Sequence, residues 1–156
     1  IIKALADACG SDGMTGGQAI DLASEGRQLC AAELEHMYRL KTGRLLHASV
    51  MSAAYCAEDL NDHALKDLER FIDALGLAFQ IRDDILDIEG STEQIGKQSG
   101  ADVAKRKATY PSLFGLERAR VRANDLLTKA LIALDRFGQE ADILREVAKY
   151  IVRREA

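Results

Sequence analysis

A long amphipathic segment in the middle of the sequence constrains the fold most strongly. Its apolar residues recur at spacings of three, four or seven positions: Leu65, Leu68, Ile72, Leu75, Phe79 and Leu86. This spacing places them on one face of an α-helix. Asn61 or Asp62 can cap its start, and Gly90 is a residue that commonly follows a helix end. We therefore expect one long helix over residues 63–89.

The rest of the chain shows the same helical periodicity. Similar apolar stripes predict helices over residues 19–25, 31–56, 111–137 and 141–153, and residues 1–6 look like the end of another helix. The single proline, Pro111, is suited to the first turn of a helix, and the sequence has no tryptophan. Residues 90–108 form a polar connection that is long for a helical bundle. The sequence thus predicts an all-α helical bundle.

Three aspartates crowd the last part of the long helix. Asp83 and Asp87 lie one turn apart on one face, Gln80 lies a turn before Asp83, and Asp84 is the next residue around the helix. Two carboxylates ~4 Å apart repel by ~4 kcal/mol at an effective dielectric constant of ~20. The negative end of the helix dipole would add to this cost. A divalent cation would remove it, although spacing alone fits an acidic helix end in solvent equally well.

Mg²⁺ is the cation that these residue types favour. It takes oxygen ligands, keeps several waters and binds one or two carboxylates together with substrate phosphates. No histidine or cysteine lies in residues 79–87, which argues against zinc.

Composition excludes several classes of protein. The net charge of −4 gives no basic footprint for nucleic acid. No apolar run approaches the ~20 residues of a membrane-spanning helix. The three cysteines, Cys9, Cys30 and Cys56, are odd in number and far apart, so we expect buried or idle thiols in a reducing compartment, the cytoplasm.

A series of short motifs runs in order along almost the whole chain. They are Gly13-Met14-Thr15-Gly16-Gly17-Gln18 with Asp21, Glu25-Gly26, Lys41-Thr42-Gly43, Phe79-Gln80, Asp83-Asp84-Ile85-Leu86-Asp87, Gly96-Lys97, Gly100-Ala101-Asp102 and Lys107-Ala108-Thr109-Tyr110-Pro111. In this order the sequence resembles the trans-isoprenyl diphosphate synthases, the polyprenyl synthetase family, and among them the bacterial farnesyl and geranylgeranyl diphosphate synthases.

This resemblance implies an isoprenoid-synthase helical bundle around a deep cavity, working as a homodimer. It implies the condensation of isopentenyl diphosphate with an allylic diphosphate, with Mg²⁺ holding the diphosphate that leaves. Lysine and metal act where the charge of the leaving group develops.

The resemblance also assigns residues to roles. It implies that Asp83 binds Mg²⁺ directly, and that Asp84 and Asp87 complete the metal site by orienting bound water. It implies that the substrates are held by Lys41, Thr42, Gln80, Lys97 and Lys107, with Asp102 supporting the metal from further out. Of these, the resemblance gives catalytic roles to Lys41, Thr42, Gln80 and Asp83. Arg153-Arg154 resembles the basic tail of some members.

One departure from the family pattern is large. The first aspartate-rich motif of the family is not found in the 156 residues. We therefore expect residues 1–156 to be the C-terminal half of a single all-α domain, inactive alone. A non-catalytic regulatory subunit of a heteromeric synthase and a purely structural helical domain remain as alternatives.

Overall fold

The computed structural model describes the backbone of residues 1–95 and 108–154, and the side chains of these residues except 91–95. Within these ranges the chain is helical and contains no β-strand, which confirms the all-α prediction. The α-helices are α1 (Ile2–Cys9), α2 (Met14–Ala23), α3 (Ala31–Tyr38), α4 (Arg44–Ala54), α5 (Asp62–Ile95), α6 (Tyr110–Phe114), α7 (Leu116–Ala133) and α8 (Asp142–Arg153). None of the described helices is both long enough and apolar enough to cross a bilayer.

Helix α5 is the centre of the packing. It contacts α7 along much of its length, and α4, α6 and α8 also pack against it. Its Phe71, Ile81 and Ile85 are completely buried, and side chains from other parts of the chain join them in one core: Leu34, Met51 and Leu134. Each such side chain contributes ~1.5–3 kcal/mol by leaving water. The core therefore fixes the position of the part of α5 that carries the aspartates.

The expected end of α5 at Gly90 is wrong. The helix continues through Gly90 to Ile95. A glycine that ends a helix usually adopts a positive φ, and in the described part of the chain positive φ occurs at Gly26, Gly115 and Gly138. Asp83, Asp84 and Asp87 therefore lie before the last turns of α5, and the helix dipole does not provide the repulsion that the sequence suggested.

The predicted helix over residues 31–56 is interrupted at its centre. Arg39–Gly43 forms a π-helical segment between α3 and α4. Such segments are rare and occur often at functional sites. The segment holds Lys41 and Thr42, the two residues that the sequence singled out in this helix.

Close backbone contacts explain the glycines of this region. A Cβ on Gly17 would lie 2.3 Å from the backbone nitrogen of Lys41, so only glycine allows α2 to approach the π-helical segment. A Cβ on Gly76 would lie 3.2 Å from the Cα of Gly43, so α5 meets the same segment backbone to backbone. A side chain on Gly76 would therefore need this segment to shift.

The predicted helix over residues 111–137 is divided in two. Thr109 caps α6, and Pro111 lies in its first turn as expected. Gly115, with a φ of 85°, then separates α6 from α7. Cys9, Cys30 and Cys56 are free thiols, as predicted, but all three are exposed and not buried.

Candidate functional site

The first part of the candidate site is the junction of α2 with the π-helical segment. The Nζ atom of Lys41 lies 2.6 Å from an Oδ atom of Asp21, and the Asp21 carboxylate is buried. Gly17 permits the backbone of α2 to approach the backbone of Lys41 closely. The side chain of Lys41 is 32% exposed, so its ammonium group can reach an anion from outside.

The second part joins the π-helical segment to α5. The hydroxyl group of Thr42 lies 2.9 Å from Oε1 of Gln80 and donates a hydrogen bond to it. The two residues are 38 positions apart in the sequence, and both side chains are partly buried. The close approach of Gly43 and Gly76 lies beside this bond, because Gly43 follows Thr42 and Gly76 lies one helical turn before Gln80. The structure thus brings together two residues that the sequence assigned to one site.

Asp84 is buried and bound by protein donors. Its Oδ2 atom accepts hydrogen bonds from the hydroxyl of Tyr38 and from the backbone N–H of Tyr110, the latter at 2.9 Å. Burial raises the pKa of Asp84, and the hydrogen bonds from Tyr38, Tyr110 and Gln80 partly offset this effect. Burial and the nearby carboxylate also raise the pKa of Tyr38, so its hydroxyl stays a donor at ordinary pH.

Asp83 makes an ion pair with the end of the described chain. A guanidinium nitrogen of Arg154 contacts Oδ1 of Asp83. The guanidinium carbon lies 4.8 Å from the centre of the Phe79 ring, one turn earlier on α5. Asp87, one turn after Asp83, is exposed.

The chemistry of the donors suits a magnesium ion, with a qualification for Asp84. Within the described ranges there is no group of three or more His, Cys, Asp or Glu side chains placed to hold a metal ion. Asp83 and Asp87 present carboxylate oxygens that solvent can reach, whereas Asp84 is committed to Tyr38 and Tyr110. Mg²⁺ commonly takes only one or two carboxylates and fills its other positions with water and phosphate oxygens. Asp83 and Asp87 together fit that pattern.

Several residues lie outside what the structure or the sequence reasoning covers. Lys97, Asp102 and Lys107 fall in the part of the chain that the structure does not describe, so their predicted roles stay predictions.

Sequence reasoning gave Tyr38 no role at the site. No local pattern marks it, because its partner Asp84 is 46 positions away.

The comparisons with known proteins agree with this fold. The chain matches the polyprenyl synthetase family model over residues 1–151. The protein therefore belongs to the polyprenyl synthetase family, and the resemblance found in its motifs is confirmed.

Bacterial farnesyl diphosphate synthases are among the relatives that this chain matches. The enzyme of Escherichia coli K12 is 43% identical, over 99% of this chain and 52% of its own length. An FPP/GFPP synthase from Zymomonas mobilis has a TM-score of 0.83 at 40% identity, covering 97% of this chain and 49% of that one. A geranyltransferase from Helicobacter pylori, solved with magnesium and isoprenyl diphosphate, has a TM-score of 0.75 at 29% identity, covering 97% of this chain and 49% of that one. The chain thus spans about half the length of the relatives it matches.

Proposed function

We propose that this chain forms part of the active site of a prenyltransferase that joins isopentenyl diphosphate to an allylic diphosphate. The observation that carries the proposal is the meeting of the π-helical segment with α5. There Thr42 bonds to Gln80, and Lys41 is the neighbour of Thr42. Asp83 and Asp87 follow Gln80 on successive turns of α5.

In this proposal the lysines bind the diphosphate and the aspartates hold the metal ion. Lys41, held by Asp21, contacts the allylic diphosphate, and Lys97 and Lys107 contribute further charge. Asp83 is the direct ligand of Mg²⁺, and Asp87 orients water bound to the metal. When bound, Mg²⁺ neutralises the negative charge that develops on the diphosphate as its C–O bond breaks.

The hydrogen-bonded pair of Thr42 and Gln80 faces the developing positive charge of the allylic carbon. A hydroxyl and an amide oxygen carry partial negative charge, so they can stabilise a cation without forming a bond to it. Their mutual hydrogen bond at 2.9 Å fixes both orientations before substrate arrives.

Asp84 serves the metal site indirectly in this proposal. Its carboxylate is anchored to Tyr38 and to the start of α6, and it fixes the rotation of α5 that presents Asp83 and Asp87. This arrangement favours a positioning role for Asp84.

We also propose that residues 1–156 belong to one all-α domain and that the 156-residue chain alone does not catalyse prenyl transfer. The sequence contains a single Asp-Asp-x-x-Asp run, at residues 83–87, whereas the resemblance implies two. Detectable prenyl product from the pure chain, Mg²⁺, dimethylallyl diphosphate and isopentenyl diphosphate would contradict this proposal.

A binding experiment tests the site itself. Calorimetric titration of the chain with dimethylallyl diphosphate, with and without Mg²⁺, should show tighter binding when the metal is present. Asp83→Asn should weaken the metal-dependent binding by about tenfold or more, since metal-site substitutions commonly have effects of this size. Asp73→Asn, at an exposed aspartate of the same helix, is the matched control and should bind as the parent does. Equal affinity of Asp83→Asn and Asp73→Asn would overturn the assignment of Asp83.

A further inference from the structure

The residue after the last helix is held firmly against α5. Arg154 leaves the helical conformation, with a φ of −55° and a ψ of 141°, while its N–H still donates to the carbonyl oxygen of Tyr150. The Nε and Nη2 atoms of Arg82 donate to the carbonyl oxygen of Arg154 at 3.1 and 2.6 Å. Arg82 therefore anchors the backbone of Arg154 to α5.

The side chain of Arg154 uses two consecutive turns of α5. Its guanidinium lies 4.8 Å from the centre of the Phe79 ring and makes an ion pair with Asp83, four residues later. Stacking on an aromatic ring and pairing with a carboxylate are the two interactions that a guanidinium makes best. Phe79 thus holds the cation in the position where it reaches Asp83.

The contact is suited to exchange. The side chains of Arg154 and Asp83 are 24% and 35% exposed, and ion pairs with such access to water are weak. The Nε atom of Arg154 has no hydrogen-bond partner among the described residues, so the guanidinium is incompletely satisfied where it lies. Asp87, the next carboxylate on the same face, is exposed and makes no ion pair with another residue of the described ranges.

We propose that Arg154 is a built-in counter-ion that occupies the carboxylate of Asp83 and must be displaced before a divalent cation can bind there. This rests on the proposed role of Asp83 as a magnesium ligand. The guanidinium contacts Oδ1 and places a positive charge beside Oδ2, so it competes with a divalent cation for the same carboxylate. Arg82 holds the backbone of Arg154 in place while the side chain of Arg154 moves. The guanidinium of Arg154 therefore stays close enough to Asp83 to return. Arg154 lies beyond residues 1–151, the part of the chain that the family model matches.

Metal binding without catalysis tests this competition. The affinity of the chain for Mn²⁺ alone can be measured by electron paramagnetic resonance, which detects the free ion. Arg154→Gln removes the charge and should tighten Mn²⁺ binding by roughly three- to tenfold, the range expected for loss of a partly exposed ion pair and a cation–π contact. Arg153→Gln is the matched control, because Arg153 is an exposed neighbour of the same charge that makes no ion pair with a described residue. It should change the affinity far less.

The double variant separates the two proposals. If Asp83 holds the metal and Arg154 competes for it, Asp83→Asn weakens Mn²⁺ binding and Arg154→Gln gives no further gain in that background. Equal affinities of the parent and Arg154→Gln, with Asp83→Asn weaker, would overturn the competition and leave the role of Asp83 intact. An unchanged affinity in Asp83→Asn would overturn both. Equal gains in Arg154→Gln and Arg153→Gln would show a general charge effect and would also overturn the competition.

Discussion

At the scale of single residues, the buried pair of Tyr38 and Asp84 is the contact that sequence reasoning could not supply. A carboxylate out of water needs hydrogen-bond donors, and Asp84 obtains them from a side chain and a backbone N–H far away in the sequence. The run of three aspartates could be found from spacing, because i and i+4 residues share a helix face. Which of them is buried depends on how α3 and α6 dock on α5, and no local pattern encodes that docking.

Tyr38→Phe should destabilise the chain measurably. The change leaves the buried Asp84 carboxylate with one donor fewer, and such a loss lowers the free energy of unfolding by about 1–3 kcal/mol. Urea denaturation at neutral pH gives the value. Tyr150→Phe is the control, because Tyr150 is exposed. Coincident denaturation curves for the two variants would show that the Tyr38 bond contributes nothing.

The ion pair between Asp67 and Arg136 should make stability depend on pH. The Nε atom of Arg136 lies 2.8 Å from Oδ2 of Asp67 and donates a hydrogen bond to it. This bond is the main reason why the pKa of Asp67 is lowered. Because the folded-state pKa lies below the unfolded value of ~3.9, the pair stabilises the fold above that pH. The contribution is lost as the pH falls through the folded-state pKa.

Asp67→Asn should therefore lower the free energy of unfolding at neutral pH, and its difference from the parent should shrink as the pH falls through the folded-state pKa, because the parent carboxylate is then protonated as well. Denaturation curves across this range give the comparison. Asp73→Asn, at an exposed aspartate of the same helix, should follow the parent at every pH. A deficit of Asp67→Asn that persists unchanged into acid would mean that charge is not its cause.

At the scale of helices, periodicity predicted where the chain is helical but not where helices change form. The stripe over residues 31–56 predicted one continuous helix, and the chain does stay helical from Ala31 to Ala54. The π-helical segment inside it is packed closely by α2 and α5, and these contacts between distant parts of the chain leave no mark in the local periodicity. Gly90 and Gly115 behave differently from what the sequence predicts: the helix continues through Gly90, whereas a later helix breaks at Gly115, which adopts a positive φ. The residue type alone does not distinguish two glycines whose surroundings differ.

Gly17→Ala should disrupt the junction that positions Lys41. The new Cβ would lie 2.3 Å from a backbone nitrogen and has no flexible side chain to displace, so the helices must separate. Overpacking of this kind typically costs 1–3 kcal/mol, so a loss of about that size is expected in the free energy of unfolding. Thermal or urea denaturation would measure it.

Gly43→Ala is the matched control for this change. Gly43 has helical dihedral angles, and its new Cβ would make only ordinary contacts, at 3.8 and 3.9 Å. Alanine also favours a helix by up to ~1 kcal/mol over glycine, so this variant should be as stable as the parent or more stable. If both variants behaved alike, the backbone approach at Gly17 would not be the limiting contact.

At the scale of the whole molecule, the all-α fold could be predicted because each helix carries its own apolar stripe. The family was recognised because the motifs keep their order over nearly the entire chain. The prediction of a homodimer is not tested by the fold, but the surface offers a place for it. The neighbouring helices α1 and α2 expose a group of large apolar side chains: Ile1, Ile2, Leu5, Met14 and Leu22. Exposed apolar side chains that form a contiguous patch commonly mark an interface between proteins.

If this chain dimerises through α1 and α2, replacing Leu5 and Leu22 together by serine should shift its equilibrium towards monomer. The change removes apolar surface from both helices of this patch without touching the buried core. Sedimentation velocity at several concentrations would give the dissociation constant, which should rise. Ile143→Ser, at an exposed isoleucine of α8, should leave it unchanged. A parent chain that stays monomeric at every concentration would refute dimerisation of this chain through these helices.

The close approach of Gly76 to Gly43 has a consequence for how this protein can change over time. A Cβ on Gly76 would lie 3.2 Å from the Cα of Gly43, so a side chain there does not fit between α5 and the segment that holds Thr42 unless one of them shifts. Variants with enlarged or trimmed residues elsewhere in the interior can loosen or tighten the bundle, yet the gap between Thr42 and Gln80 has little room to follow. Drift in the surrounding residues should therefore alter the melting behaviour of the protein long before it alters the spacing of this pair.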